Sequence, residues 1–268
     1  MSLTTTGDER AATAPERLRK KDRRRQILLE LKLRPHVRIS ELARRFNVST
    51  ETVRRDFDAL SEDGLIARAH GGASAPVQGH YPSLDERTSA RVAEREGIGR
   101  AAAELVQDGD TVMIDSGSTT IELARALAFR GTQCTVITNS IPVAMTIGHG
   151  TPEVILCPGE YLAAESALIG TETLEFLARF NVDRCLIGAS GLTPEGPCEA
   201  VRGFAAVKRM MLQRAAKRHL LIDSHKFGRR GFAQVGDMED LDSIVVDARP
   251  KGDILSALEL ARVGVVVA

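Results

Sequence analysis

From Thr111 to Ala268 the chain alternates short apolar runs with longer amphipathic ones, and nothing else in the sequence limits its fold as strongly. The apolar runs are TVMID (111–115), CTVIT (134–138), EVILC (153–157), RCLIGA (184–189), HLLID (219–223), SIVVD (243–247) and VGVVVA (263–268). Between them lie TIELARALA (120–128), IPVAMTIG (141–148), ETLEFLA (172–178), FAAVKRMMLQRAA (204–216) and ILSALELA (254–261). Runs apolar throughout and bounded by Gly or Asp fit strands buried on both faces, and intervening helices make such strands parallel. The expected fold class is therefore α/β, a mostly parallel sheet covered by helices on both sides. A hydrophobic content of 43% with no Trp and only 4% aromatics suits a sheet core of Val, Ile, Leu and Ala. A helical stretch from Leu84 to Val106 precedes the alternation and is broken at Asp108-Gly109.

In an open parallel sheet, ligands bind outside the carboxyl ends of the strands. That rule singles out Asp115-Ser116-Gly117-Ser118-Thr119-Thr120, placed directly after one strand and before a helix. Small hydroxyl side chains and free helix N–H groups there make an anion cradle. Ordinary helix capping by Ser and Thr is the alternative, and the residues alone leave both open. Four further strand ends are polar and small: Asn139 in TNS, Gly159 in PGE, Gly188 and Gly191 in GASG, and Lys226 in DSHKFG. Together they suggest a pocket for a polar, anionic small molecule, with Lys226 as a point charge for phosphate. Lys208 lies inside a helical run, where a surface lysine and a ligand contact are both open.

The N-terminal third has a different pattern. Residues 1–15 are polar and low in large apolar groups, which predicts a disordered tail. A helix is expected over 16–33, with Ile27, Leu28 and Leu31 inward and Pro35 ending it. Leu42, Ala43 and Phe46 then share one helical face, and Val53, Phe57 and Leu60 share another. Asn47-Val48-Ser49 supplies a turn, an apolar pivot and a hydroxyl able to cap the second helix. A hairpin carrying Arg68 and His70 beside Gly71-Gly72 follows. This is the pattern of a winged helix-turn-helix, whose second helix would offer Ser49, Thr50, Glu51, Thr52, Arg54 and Arg55 to base edges or phosphates. The basic run Arg17–Arg25 lies immediately upstream.

The formal net charge of zero conceals an asymmetry: residues 1–75 carry about 16 basic against 11 acidic side chains, and the remainder is acidic. A basic DNA reader joined to an acidic sensor has this balance. The expected division is a tail at 1–15, a reader at 16–73, a Gly/Pro/Ser-rich linker at 74–84 and a sensing and oligomerisation domain at 85–268. Cys134, Cys157, Cys185 and Cys198 are widely spaced and expected to be reduced core residues rather than disulfides or metal ligands. No run approaches the ~18 apolar residues of a membrane span, and no signal-peptide apolar region is seen, so a cytoplasmic protein is expected.

The segment VSTETVRRDFDALSEDGLIARAHGGA resembles the DNA-binding signature of the DeoR family of bacterial transcriptional regulators. Further along, DSGSTT, VITNS, CPGE, IGTETL, GASGLTPEG, AVKR and IDSHKFG occur in the order and spacing of that family's effector domain. The resemblance implies an effector domain similar in fold to ribose-5-phosphate isomerase and the CoA transferases. It also implies an effector that is a phosphorylated sugar or a related metabolite. Carried over, Asp115, Gly117, Ser118, Thr119 and Thr120 match the phosphate loop, Asn139 the second loop, Gly188 and Gly191 the third, and Lys208 and Lys226 the basic positions. Three positions depart from the family pattern: Phe204 where an acid usually precedes AAVKR, His225 in place of a second Ser, and Leu162 where an Arg is frequent. These departures suggest a ligand different from the commonest sugar phosphates.

The expectation is a DNA-binding repressor of a carbohydrate catabolism operon, without cofactor, metal or catalytic residues. Its partners would be double-stranded operator DNA, an anionic small molecule and further copies of itself, as a homodimer or homotetramer. A sugar-phosphate isomerase fused to a reader is the rival reading, weakened by the missing acid at position 204. A purely architectural DNA-binding protein would leave the α/β domain without a use.

Overall fold

The computed structural model describes residues 19–34, 36–62, 66–69, 71–74, 84–89 and 91–268, and the chain divides into two compact units, Met1–His80 and Tyr81–Ala268. The expected tail, Pro35, His70 and most of the expected linker lie outside the described residues, as does the side chain of Arg68.

The first unit contains α1 (Lys20–Leu33), β1 (His36–Arg38), α2 (Ile39–Arg45), α3 (Thr50–Glu62), β2 (Ala67–Ala69) and β3 (Gly72–Ser74). The periodic residues meet in one core: Ile27, Leu31, Leu42, Ala43, Phe46, Val53, Phe57 and Leu60 are all buried there. Arg34, the residue before Pro35, is extended and ends α1. Asn47 turns the chain between α2 and α3 through a left-handed backbone (φ 50°), and the Thr52 N–H donates to Ser49 Oγ at 3.1 Å, capping α3. The three short strands form an antiparallel sheet in the order β1-β3-β2. Gly72 permits that pairing, because a Cβ there would lie 2.2 Å from the Val37 carbonyl oxygen. β1 adds a third strand to the expected hairpin. Asp56, buried on α3, pairs with Arg23 and, at 3.2 Å, with Arg24. Part of the basic run therefore fastens α1 to α3.

The second unit opens with α4 (Leu84–Ser89) and α5 (Val92–Ala103), which the sequence reading joins as one helix. Arg91, in the left-handed region at φ 49°, separates them. Then follow β4 (Thr111–Ile114), α6 (Ser118–Arg130), β5 (Thr135–Thr138), α7 (Ile141–Ile147), β6 (Glu153–Leu156), β7 (Glu160–Leu162), β8 (Ala167–Ile169) and α8 (Thr171–Leu177). The chain continues through β9 (Val182–Gly188), β10 (Gly191–Thr193), β11 (Gly196–Glu199), α9 (Arg202–Arg214), β12 (Ala215–Leu221), β13 (Ala233–Gln234), β14 (Ser243–Val246), α10 (Asp253–Leu260) and β15 (Gly264–Val267).

Seven strands form a parallel sheet in the order β15-β14-β12-β9-β4-β5-β6. Alternate residues along each strand serve opposite faces. Val112 and Ile114 pack with Ile98, Leu123 and Val143 from α5, α6 and α7. Met113 packs on the other side with Leu177, Met211 and Leu258 from α8, α9 and α10. From β4 the chain runs outward through β5 to β6, then returns to β4's other side as β9 and runs outward through β12 to β15. The order therefore reverses between β4 and β9, which is where an open sheet leaves a crevice at its carboxyl edge. Two small antiparallel pieces, the β7–β8 hairpin and the β10-β11-β13 sheet, are additions the apolar runs do not announce. The four cysteines are buried free thiols, and burial pushes Cys157 and Cys185 up to about 12. Among the described residues no helix is long and apolar enough to cross a membrane.

Candidate functional site

The β4/β9 crevice opens into a small cleft lined by residues of both strand ends. Its floor is the loop Ser116-Gly117-Ser118-Thr119, which leads from β4 into α6, and Gly188-Ala189 at the end of β9. Among the described residues no side chain caps α6. The Thr120 hydroxyl donates to the carbonyls of Asp115 and Gly117, both at 3.0 Å, rather than forward to the helix amides. The positive end of a 13-residue helix thus faces the cleft. Ser118 Oγ, buried beside it, has no hydrogen-bond partner among the described residues. A buried hydroxyl left unsatisfied at an uncapped helix N-terminus suits an incoming anion.

Behind the floor lies a charged network. Lys208 Nζ on α9 is 2.6 Å from Asp115 Oδ2, 2.6 Å from Glu199 Oε1 and 2.9 Å from the Gly188 carbonyl oxygen. The Gly188 N–H donates to Asp115 Oδ2 at 3.1 Å, so the ends of β4 and β9 are joined directly. Ser190 donates its hydroxyl to Glu199. Burial disfavours the Lys208 ammonium, but Asp115 and Glu199 outweigh it and hold the lysine above its ordinary range. Burial would raise Glu199, yet Lys208 and the Ser190 hydroxyl bring it below the usual carboxylate value. At Asp115 burial prevails over Lys208 and the carboxyl is raised.

Two more cations reach the cleft. Lys226, in the helical turn Ser224–Lys226 after β12, donates to the Ala189 carbonyl at 2.8 Å and lies 3.9 Å from Asp223 Oδ2. Burial pulls its ammonium down to about 8. Arg87 on α4 pairs with Glu165, at the turn between β7 and β8, with both side chains nearly buried. Burial raises the Glu165 carboxyl, and Arg87 offsets only part of the rise. Phe204, on the first turn of α9, closes the lining with an apolar ring.

In the first unit, α3 presents Thr50, Glu51, Arg54 and Arg55 to solvent. Glu51 lies 3.3 Å from Arg55 Nε and 4.0 Å from Arg54 Nη1, so both guanidiniums are aligned along the exposed face. Ser49 and Thr52 hydroxyls share a hydrogen bond of 2.8 Å at the helix start.

Comparison with known proteins decides what these two units are. A model of the DeoR-like helix-turn-helix domain matches residues 23–78, and one of the DeoR C-terminal sensor domain matches residues 90–248. The chain belongs to the DeoR family. It is 31% identical to the glycerol-3-phosphate regulon repressor of Escherichia coli, over 89% of this chain and 96% of that protein. It is 34% identical to the HTH-type transcriptional repressor GlcR of Bacillus subtilis, over 81% and 85%. Against the lactose phosphotransferase system repressor of Lactococcus lactis it is 32% identical, over 85% and 90%. Among solved structures it is similar to ribose 5-phosphate isomerase A from Methanocaldococcus jannaschii, with a TM-score of 0.38, 18% identity, and coverage of 50% of this chain and 53% of that one. DeoR-family proteins are DNA-binding transcriptional regulators, and the named relatives are repressors rather than enzymes.

Within this DeoR-family chain the eleven sequence-derived effector positions separate. Gly117, Ser118, Thr119, Gly188, Lys208 and Lys226 line the cleft, and Asp115 stands behind it on Lys208. Lys208, left open by the residues and matched to a basic effector position by resemblance, directs its three donors at Asp115, Glu199 and Gly188. Thr120, Asn139, Gly159 and Gly191 do not line the cleft. Asn139 Nδ2 donates to the Leu168 carbonyl at 2.9 Å and braces the β7–β8 hairpin. A Cβ on Gly159 would lie 2.1 Å from Thr173 Oγ1, and one on Gly191 2.1 Å from the Arg229 carbonyl oxygen, so close packing accounts for both glycines.

Arg87, Glu165 and Glu199 are cleft residues that the strand-end rule misses. Glu199 ends β11 and supplies an acid five residues before Phe204, so the phenylalanine does not leave the cleft without carboxylates. Phe204 therefore does not weigh against catalysis, and it is membership of the DeoR family of regulators that sets this chain apart from the isomerases. Leu162 in β7 and His225 beside Lys226 are half-buried and outside the lining.

Proposed function

We propose that this DeoR-family chain represses a carbohydrate catabolism operon and that a phosphorylated sugar, or an anion of that kind, retunes its hold on operator DNA from the β4/β9 cleft. The observation that carries the effector class is the Ser118 hydroxyl at the start of α6, buried and without a hydrogen-bond partner among the described residues, with Lys226 in the same lining. Helix amides and a hydroxyl take phosphate oxygens, and a buried lysine supplies the compensating charge. The names of the relatives, which include a glycerol-3-phosphate regulon repressor and a lactose phosphotransferase system repressor, agree with this class.

The reader spans residues 16–73, the linker 74–84 and the sensor 85–268. Ser49 ahead of α3, Thr50, Glu51, Thr52, Arg54 and Arg55 on it, and Arg68 and His70 contact the operator. The α/β units associate as a homodimer or homotetramer in the cytoplasm, so that operator half-sites mirror the symmetry of the readers. The effector shifts reader placement by no more than its preference for one arrangement over the other.

The test is a thermal-shift screen of the full chain against sugar phosphates, followed by DNA mobility shift with each ligand that stabilises it. A stabilising sugar phosphate that also changes DNA retention supports the reading. Ligands that stabilise the chain without touching DNA binding would sever sensor from reader, and turnover of a sugar phosphate would restore the isomerase reading.

A further inference from the structure

Arg87 belongs both to the cleft and to α4, the first described element of the second unit. The helix is held to the rest of the unit by named contacts. Leu84 is buried among the α5–α6–α7 side chains, and the Arg87 guanidinium is paired with Glu165. The Arg87 carbonyl also accepts a hydrogen bond from Arg95 on α5. A change in the Arg87–Glu165 pair therefore bears directly on how α4 is held, and α4 follows the segment leading from the reader.

The cations around the cleft are already matched by carboxylates. Asp115, Glu165 and Glu199, with Asp223 beside Lys226, face Arg87, Lys208 and Lys226. A phosphate monoester brings a further charge of about −1.5 to −2. Placing it against these buried, paired side chains requires a carboxylate to release its cation. Asp115 and Glu199 are poorly placed to do so, being held by Lys208, the Gly188 N–H and the Ser190 hydroxyl. Glu165 is held differently: its ion-pair partner among the described residues is Arg87. Burial already disfavours its ionised form. The hairpin beneath it is anchored independently, through Asn139 to Leu168 in both directions, so the side chain can turn away while β7 and β8 stay in place.

We propose that Glu165 holds on Arg87 the place of the effector's anionic group, and that an anion entering the cleft displaces it and so resets α4. The inference rests on reading the cleft as an anion site, and it makes Glu165 an internal competitor of the ligand. Removing a competitor tightens binding, which damage to the fold does not do.

Inorganic phosphate is titrated calorimetrically into the full-length wild-type protein, Glu165→Gln, Glu165→Ala, Arg87→Gln and Ser118→Glu, with amide exchange followed over residues 84–100. Both Glu165 variants should bind phosphate roughly ten-fold tighter than wild type and Arg87→Gln correspondingly weaker. Exchange over α4 in unliganded Glu165→Gln should match that of phosphate-bound wild type. If Ser118→Glu abolishes binding while both Glu165 variants bind no tighter than wild type, the displacement is wrong and the anion site stands. If Ser118→Glu binds as wild type does, or no variant binds phosphate, the anion site and the displacement fall together.

Discussion

Lys208 Nζ lies 2.6 Å from Asp115 Oδ2, and this contact locks α9 to the end of β4 where the sheet changes direction. With Glu199 at the same distance, one ammonium neutralises two buried carboxylates. Substituting Lys208→Met should cost about 3–5 kcal/mol, the usual penalty for stranding a buried charge. Without the lysine both carboxyls rise above their unfolded values of about 4, so the folded state binds the extra protons. Stability of the variant then falls as pH rises through those raised values. Urea denaturation should therefore show a smaller deficit near pH 5 than near pH 8. A deficit independent of pH would mean that the two carboxylates find another partner.

Lys226 should give effector binding an alkaline limit. Burial lowers its ammonium from 10.5 to about 8, with Asp223 opposing and Arg87 and Arg95 reinforcing the shift. Below about pH 8 the lysine is charged in folded and unfolded chains alike, and the cost of burying it is constant. Between that point and 10.5 the folded state has released a proton that the unfolded chain keeps, so stability rises with pH. Anion binding runs the other way, since it needs the ammonium. The affinity for a phosphate monoester, already a dianion there, should weaken towards ten-fold per pH unit above about 8. Lys226→Arg should flatten the profile. An affinity constant from pH 7.5 to about 9.5 would remove Lys226 from the binding site.

On α3, Arg54 is exposed and its pairing with Glu51 is long, at 4.0 Å, so the guanidinium is available to DNA at little cost. Arg54→Ala should weaken operator binding by roughly 1–3 kcal/mol and relax sequence preference if the side chain reads a base. The thermal midpoint should stay near that of wild type, because surface substitutions move stability by about 0.5 kcal/mol or less. Asp56→Ala, two residues further along α3 but facing inward, should reverse the pattern: the buried Arg23 loses its contact with Asp56 and the reader loses stability. Equal melting and equal loss of DNA affinity in the two variants would refute this division of α3 into an outer reading face and an inner holding face.

The parallel sheet was legible because its strands are continuous apolar runs: TVMID became β4 plus Asp115, and SIVVD became β14 plus Asp247. The strand-end rule then found Gly117, Ser118, Thr119 and Gly188. It missed Glu199, Glu165 and Arg87 because each is positioned by an element too short to show periodicity, or by the break at Arg91. Lys208 carried a signal that a stricter reading uses: it falls on the same helical stripe as Phe204, Ala205, Met211 and Leu212. A lysine on an apolar stripe has a buried partner or is out of place. Asp56 is less legible, because an acid between Arg55 and Phe57 on a charged helix resembles a solvent-facing one.

Gly188 and Gly191, three residues apart in one loop, should respond oppositely to an added methyl group. At Gly188 a Cβ would lie 3.8 Å from the Leu221 carbonyl oxygen and 4.0 Å from Asp115 Oδ2, both ordinary contacts. Gly188→Ala should fold with near wild-type stability and lose anion affinity, because Gly188 lines the cleft and its N–H holds Asp115. At Gly191 a Cβ would lie 2.1 Å from the Arg229 carbonyl oxygen and 2.8 Å from its carbon, both backbone atoms that cannot step aside alone. Gly191→Ala should therefore destabilise by about 1–3 kcal/mol or more, as overpacking does. Its anion affinity, measured well below the melting temperature, should remain closer to wild type than that of Gly188→Ala. Paired thermal melts and phosphate titrations decide the matter: the same ranking in both measurements would show that the loop acts as one piece, and would return Gly191 to the effector site.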